Sequence, residues 1–208
     1  MKTNLFLIIF ILLSFSISAK KLGKTDMANI YNEKGFTETQ MEIYHTSDSI
    51  STVYMNIQLK DFHYRHYLET GIYKTKFKIS YELFLDYESK SPIDTASVLF
   101  SDTTGFDSEI EMIINFDVKA VFPNNYVLRI SLFDLYSEDA NNVQRIIEID
   151  KSTLYSRQNF LMKDSDGYPL FGKAIDTGQY FIIESDVPDS TDLYIRYFKR
   201  DFPLAKPP

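Results

Sequence analysis

The stretch TVYMNIQLKDF, residues 52–62, decides the fold class. Val53, Met55, Ile57 and Leu59 take alternate positions, and Tyr54, Asn56, Gln58 and Lys60 fill the positions between them. On a helix these apolar residues would scatter around the circumference. On a strand successive side chains point to opposite faces, so the apolar set gathers on one side. The spacing predicts a half-buried strand.

Outward from this stretch the alternation returns. Phe77, Ile79, Tyr81, Leu83, Leu85 and Tyr87 share one face, with Lys78, Ser80, Glu82, Asp86 and Glu88 opposite and Phe84 as the apolar exception. Ala96, Val98 and Phe100 mark a shorter strand, and Ile110, Met112, Ile114, Phe116 and Val118 another clean face. Pro123-Asn124-Asn125 supplies turn chemistry before Tyr126–Tyr136, in which Tyr126, Leu128, Ile130 and Leu132 alternate. Val143 to Asp150 follows as a strand, and Thr39 to His45 precedes the whole set as a weaker one. About seven strands thus lie between Phe36 and Asp150. They predict an all-β chain: an antiparallel, immunoglobulin/fibronectin-like β-sandwich over 36–150.

Beyond residue 150, Asn159–Lys163, Tyr180–Glu184 and Leu193–Lys199 read as further strands. Three strands cannot close a sandwich alone. They either pack on the first domain or form a second, smaller or incomplete β domain over 151–200. Residues 201–208 hold Pro203, Pro207 and Pro208, and read as a linker or a truncated end.

The first nineteen residues bear on the compartment. Lys2 precedes the unbroken apolar run LFLIIFILL at 5–13, and Ser16, Ser18 and Ala19 form a small-residue exit. This is the layout of a secretory signal peptide over 1–19. The apolar stretch is shorter than the ~20 residues of a spanning helix. Residues 20–35 read as a leader segment. An exported location, periplasmic or envelope-associated, is expected.

Composition narrows the function. The 208 residues are 44% hydrophobic and 25% charged, which excludes wholesale disorder. A net charge of −7 argues against electrostatic binding of nucleic acid. The absence of Cys removes disulfides, thiolate metal sites and cysteine nucleophiles. Trp is also absent, while 17 Phe and 15 Tyr suit wide pleated surfaces.

Chemical motifs are sparse. His63 and His66 would point to opposite faces of a strand, Arg65 lies between them, and no third ligand stands out. Asp164-Ser165-Asp166-Gly167 opens like a calcium loop, but the twelfth position is Ile175, so a plain Asp/Gly turn is expected. Asp102, Asp107 and Glu109 around Gly105 read as a solvated acidic loop. There is no G-x-S-x-G elbow, no His beyond 66, and the seven glycines are unclustered. No cofactor, metal or catalytic residue is assigned. Tyr64, Tyr67 and Tyr73 remain as a candidate binding surface, an aromatic platform for a sugar.

Three segments, STVYMNIQLKDFHY, TKFKISYELF and NFLMKDSDGYPLF, lead to the closing LYIRYFKRDFPLAKPP. In this order, after a signal peptide, the chain resembles the N-terminal region of the GWxTD domain-containing proteins, exported envelope proteins of Bacteroidota-type bacteria. The Gly-Trp-x-Thr-Asp motif itself is missing, since the chain has no Trp. The resemblance therefore implies the first part of a longer protein, or a truncated relative, in the cell envelope. It implies no reaction. The expected function is that of a non-enzymatic module for protein binding or assembly in the envelope. Alternatives are a carbohydrate-binding module and, third, a non-catalytic part of a larger enzyme. Expected partners are envelope proteins or a glycan, with no nucleic acid and with membrane contact only through the N-terminal segment.

Overall fold

The computed structural model describes residues 39–103, 110–137, 142–171 and 178–186. Within them the chain is all-β and antiparallel. The strands are β1 (Gln40–Ser47), β2 (Ile50–Gln58), β3 (Arg65–Tyr67), β4 (Ile72–Phe84), β5 (Asp94–Asp102), β6 (Glu111–Val118), β7 (Asn124–Asp134), β8 (Asn142–Lys151), β9 (Phe160–Lys163) and β10 (Ile182–Ser185). The first sheet has the order β1-β2-β6; the second runs β3-β4-β7-β8, with β5 on the other pairing of β4.

The two sheets share one core. The alternating set of residues 53–59 is buried, as the spacing predicts, and it meets Phe77, Ile79, Tyr81 and Leu83 of β4 and Leu128, Ile130 and Leu132 of β7. Register explains how each face stays apolar. Ile79 lies opposite Leu132 and Tyr81 opposite Ile130, so every inward residue meets an inward residue. Phe62, Phe77 and Phe100 stack in series, with ring centroids 4.4 and 5.2 Å apart. A fully buried side chain such as Phe77 stabilises the fold by about 1.5–3 kcal/mol.

Several strand boundaries differ from the spacing argument: β7, for one, takes in Asn124 and Asn125, expected in the turn, and stops at Asp134, two residues short of Tyr136. β2 stops at Gln58, and Leu59–Asp61 form a 3₁₀ turn that still buries Leu59. The apolar alternation therefore runs on through a change of backbone. Leu85 and Tyr87 lie outside β4, which ends at Phe84 because the Asp86 carboxylate accepts from the N–H groups of Glu88 (2.9 Å) and Ser89 (2.7 Å) and turns the chain. At its other end β4 begins five residues before Phe77, paired with the three-residue β3: Arg65 with Lys74, His66 with Tyr73 and Tyr67 with Ile72. Gly71, at φ +67°, closes that hairpin in the left-handed region.

At the β6–β7 corner the Tyr126 hydroxyl donates to the Val121 carbonyl (2.8 Å) and accepts from the Val121 N–H (3.0 Å). The bend is thus pinned by a side chain of the strand that follows it. Beyond β8, Arg157 pairs with Glu42 of β1 at 3.2 Å, and Asp164-Ser165-Asp166-Gly167 forms a turn closed on the Asp164 side chain. β9 pairs with β10 over four registered residues. The signal segment, the leader, Leu193–Lys199 and the closing prolines lie outside the described residues, as do Asp107 and Glu109.

Candidate functional site

Among the described residues the sandwich has one covered side and one open side. On the covered side, the Gln158 side chain occupies the free edge of β8. Its amide donates to the Glu148 carbonyl at 2.8 Å and accepts from the Asp150 N–H at 2.8 Å, the two bonds a neighbouring strand would make. The other sheet's edge, β1, packs against the 3₁₀ turn Arg157–Asn159 and against β9. On the open side, β5 and β6 each pair with a single strand among the described residues. Asp94 ties these two edges together, accepting from the Tyr81 hydroxyl (2.9 Å) and the Lys119 N–H (3.2 Å).

The two open edges differ chemically. β6 carries Glu111 and Asp117, both engaged by β2: Gln58 donates to Glu111 at 2.6 Å and Thr52 to Asp117 at 2.7 Å. The interior of β5, Thr95-Ala-Ser-Val-Leu-Phe-Ser101, has no charge and no proline. Val98 is 44% and Leu99 60% exposed, one on each face of the strand. Soluble proteins usually blunt a long edge with lysine, proline or a bulge. β5 uses none of these in its nine-residue register with β4.

The predicted tyrosines lie around the β3–β4 hairpin but do not share one face. Tyr67 is opposite Ile72 and Tyr73 opposite His66, so Tyr67 and Tyr73 project to opposite sides. The Tyr67 hydroxyl meets that of Tyr136 at 2.8 Å, a bond that raises Tyr136 above the usual phenol range. Tyr73 stacks on His66 at 4.6 Å, and Tyr64 donates to Asp102 at 2.8 Å. The histidine pair is divided as well. His63 Nδ1 lies 2.7 Å from the Asp134 carboxylate while His66 faces the Tyr73 ring. No group of three His, Cys, Asp or Glu side chains gathers among the described residues.

A cleft of about 310 Å³ opens at the end of the larger sheet, between Leu85, Tyr87, Asn125, Tyr126, Glu148 and Asp150. The exposed Tyr87 donates to Glu148 at 2.7 Å.

The constellation that sequence reasoning missed is buried. His45 Nε2 lies 2.8 Å from the Asp150 carbonyl, so that nitrogen carries the proton and Nδ1 accepts from the Ser51 hydroxyl at 2.9 Å. The Lys151 ammonium donates to the carbonyls of Ile50 and Ala120, both at 2.8 Å, and to Ser51 at 3.4 Å. Its three protons therefore meet three acceptors. Burial lowers His45 below its ordinary value and brings Lys151 down to about 8. A Ser–His bond is also the first element of an acyl-transfer nucleophile. Ser51 and His45 are both buried, however, and give a substrate carbonyl no approach. The group fastens β1, β2, β8 and the β6–β7 corner to one another. The signal for it, a lone His45 at a strand end and a Lys151 ending an apolar strand, reads in sequence as ordinary solvated polarity.

Compared with protein-family models and with curated proteins, the chain matches none.

Proposed function

We propose that the chain is a non-enzymatic, exported β-sandwich module that binds or assembles with an envelope protein by receiving a partner strand at β5. The observation that carries this reading is the half-apolar edge of β5, uncharged in its interior and paired with a single strand among the described residues, while the β8 edge is occupied by Gln158. A partner strand gains main-chain hydrogen bonds along the edge, and alternate side chains set specificity at Val98 and Leu99. The crossovers between the sheets and the Tyr126–Val121 corner support an immunoglobulin/fibronectin-like sandwich, in which a tyrosine at the corresponding corner bonds upstream backbone. The apolar run at 5–13 with its small-residue exit supports export, and the resemblance to GWxTD domain-containing proteins supports an envelope setting.

A photo-crosslinking residue at Leu99 of the full chain, used in envelope extracts, tests the proposal. The expected result is a crosslinked partner that slows amide exchange across 94–102 and is lost with Ser97→Pro. A partner that protects other segments and leaves β5 exchange unchanged overturns it, as does turnover of a polymer substrate by the chain.

A carbohydrate-binding reading draws on the cleft, where an exposed tyrosine, an amide and carboxylates converge. Glycan binding abolished by Tyr87→Ala supports it; glycan binding lost with Tyr64→Ala or Tyr67→Ala and retained in Tyr87→Ala places the sugar at the hairpin instead. A silent glycan array removes the reading.

A further inference from the structure

The β3–β4 hairpin is graded along its length. Leu68, at the tip, is 86% exposed. Behind it come Tyr67 and Ile72, an exposed pair, and then His66 with Tyr73, whose rings stack at 4.6 Å. The third pair is Arg65 and Lys74, and Lys76 follows two residues further back on the same face. At about 3.4 Å per residue, Lys74 stands roughly 7 Å and Lys76 roughly 14 Å behind Ile72.

An aliphatic tip, an amphipathic aromatic level and then cations is the order in which a bilayer presents acyl chains, interface and phosphates. Because Tyr67 and Tyr73 project to opposite sides, they form a collar around the hairpin and not a flat platform. Charge agrees with this order. From Arg65 to Lys78 the chain has four Lys or Arg against the single carboxylate of Glu69, whereas the whole chain carries −7. The ion pairs among the described residues involve neither Lys74 nor Lys76. Arg65 lies over the Tyr136 ring at 4.4 Å, which holds its guanidinium level with the collar. A protein partner would meet a convex tip led by one aliphatic side chain, which lacks the flat apolar centre of a protein interface.

We infer that this hairpin docks on an anionic lipid surface, with Leu68 entering the headgroup region and Arg65, Lys74 and Lys76 contacting lipid phosphates. This contact is separate from the β5 edge and adds to the one expected of the N-terminal segment.

The chain has no Trp, so Leu68→Trp in the full chain places the only indole at the tip. With vesicles of phosphatidylglycerol and phosphatidylcholine, its emission shifts to the blue and brominated acyl chains quench it. Phosphatidylcholine vesicles alone give a much weaker response, and the indole of Val98→Trp, made in the parent chain, is not quenched. The readout belongs to position 68, so insertion of the N-terminal segment does not enter it. Adding Lys74→Ser and Lys76→Ser raises the lipid needed for half-quenching by about thirtyfold, near a factor of five per charge. Adding Glu69→Gln lowers it about fivefold. Emission unchanged by anionic vesicles, or equal quenching at 68 and 98, overturns the inference. So does an unchanged lipid requirement in the double lysine variant when its thermal melt matches that of the parent.

Discussion

The two ends of the sandwich use lysine in opposite ways. At one end, where Lys151 pairs with Asn124 at the start of β7, the ammonium is buried and every proton has an oxygen. At the other end, beyond Asp134 at the close of β7, Lys74 and Lys76 stand in a row on the rim with no carboxylate paired to them among the described residues. A buried cation costs several kcal/mol of desolvation and persists only when its donors are satisfied. A rim cation costs almost nothing to keep and is available to a ligand. The contrast separates a lysine that holds the fold from lysines that can act outside it.

The largest expected effect breaks this contrast directly. Lys151→Met leaves two buried carbonyls and the Ser51 hydroxyl short of a donor, and it should destabilise the chain by about 3 kcal/mol in urea unfolding. Lys74→Met should stay within about 0.5 kcal/mol of the parent. Equal losses at the two positions would remove the distinction.

Tyr126→Phe, at the Lys151 end, should cost about 2 kcal/mol, because both backbone groups of Val121 lose their shared partner. Tyr67→Phe, at the open end, loses only an exposed hydroxyl pair and should change stability far less.

The pH profile sharpens the same comparison. Burial lowers His45 in the folded chain, so below about 6.5 the unfolded chain binds a proton that the folded chain does not. Stability must therefore rise with pH up to that value. Lys151 behaves likewise between about 8 and 10.5, where the unfolded lysine is charged and the folded one is losing its proton. Tyr44 acts in the opposite sense: burial raises it to about 12, so above pH 10 the unfolded chain ionises first and stability falls. Urea midpoints measured across pH should show the acid step flattened in His45→Gln and the alkaline rise missing in Lys151→Met. An acid step of full size in His45→Gln would place its origin elsewhere.

The smallest effect has the opposite sign. The Thr75 hydroxyl is buried beside the hairpin and has no hydrogen-bond partner among the described residues. Thr75→Val keeps the shape and removes the unsatisfied group, and should stabilise the chain by about 1 kcal/mol. A loss of stability would mean that the hydroxyl is satisfied in solution.

Much of this architecture was legible in the residues. The inward sets at 53–59, 77–83 and 126–132 stand where their spacing places them, because a period of two is a property of the strand itself. The hairpin was harder to see. Three residues of β3 are too few to show a period, although Glu69-Thr70-Gly71 between two aromatic runs is a hairpin signal. The candidate tyrosines were legible as a cluster in the chain and not as a surface, since a single residue of register sends a side chain to the other face.

What the sequence by itself determined is the material of the fold: pleated strands, one apolar face on each, and turns where Asp, Asn, Pro and Gly gather. These follow from interactions among close neighbours along the chain. Only the tertiary structure decided that His45, Ser51 and Lys151 meet, and that Gln158 occupies one sheet edge while β5 pairs with a single strand among the described residues. Those outcomes depend on strand order and register between residues up to a hundred positions apart, such as Ser51 and Lys151, and no local pattern carries that information.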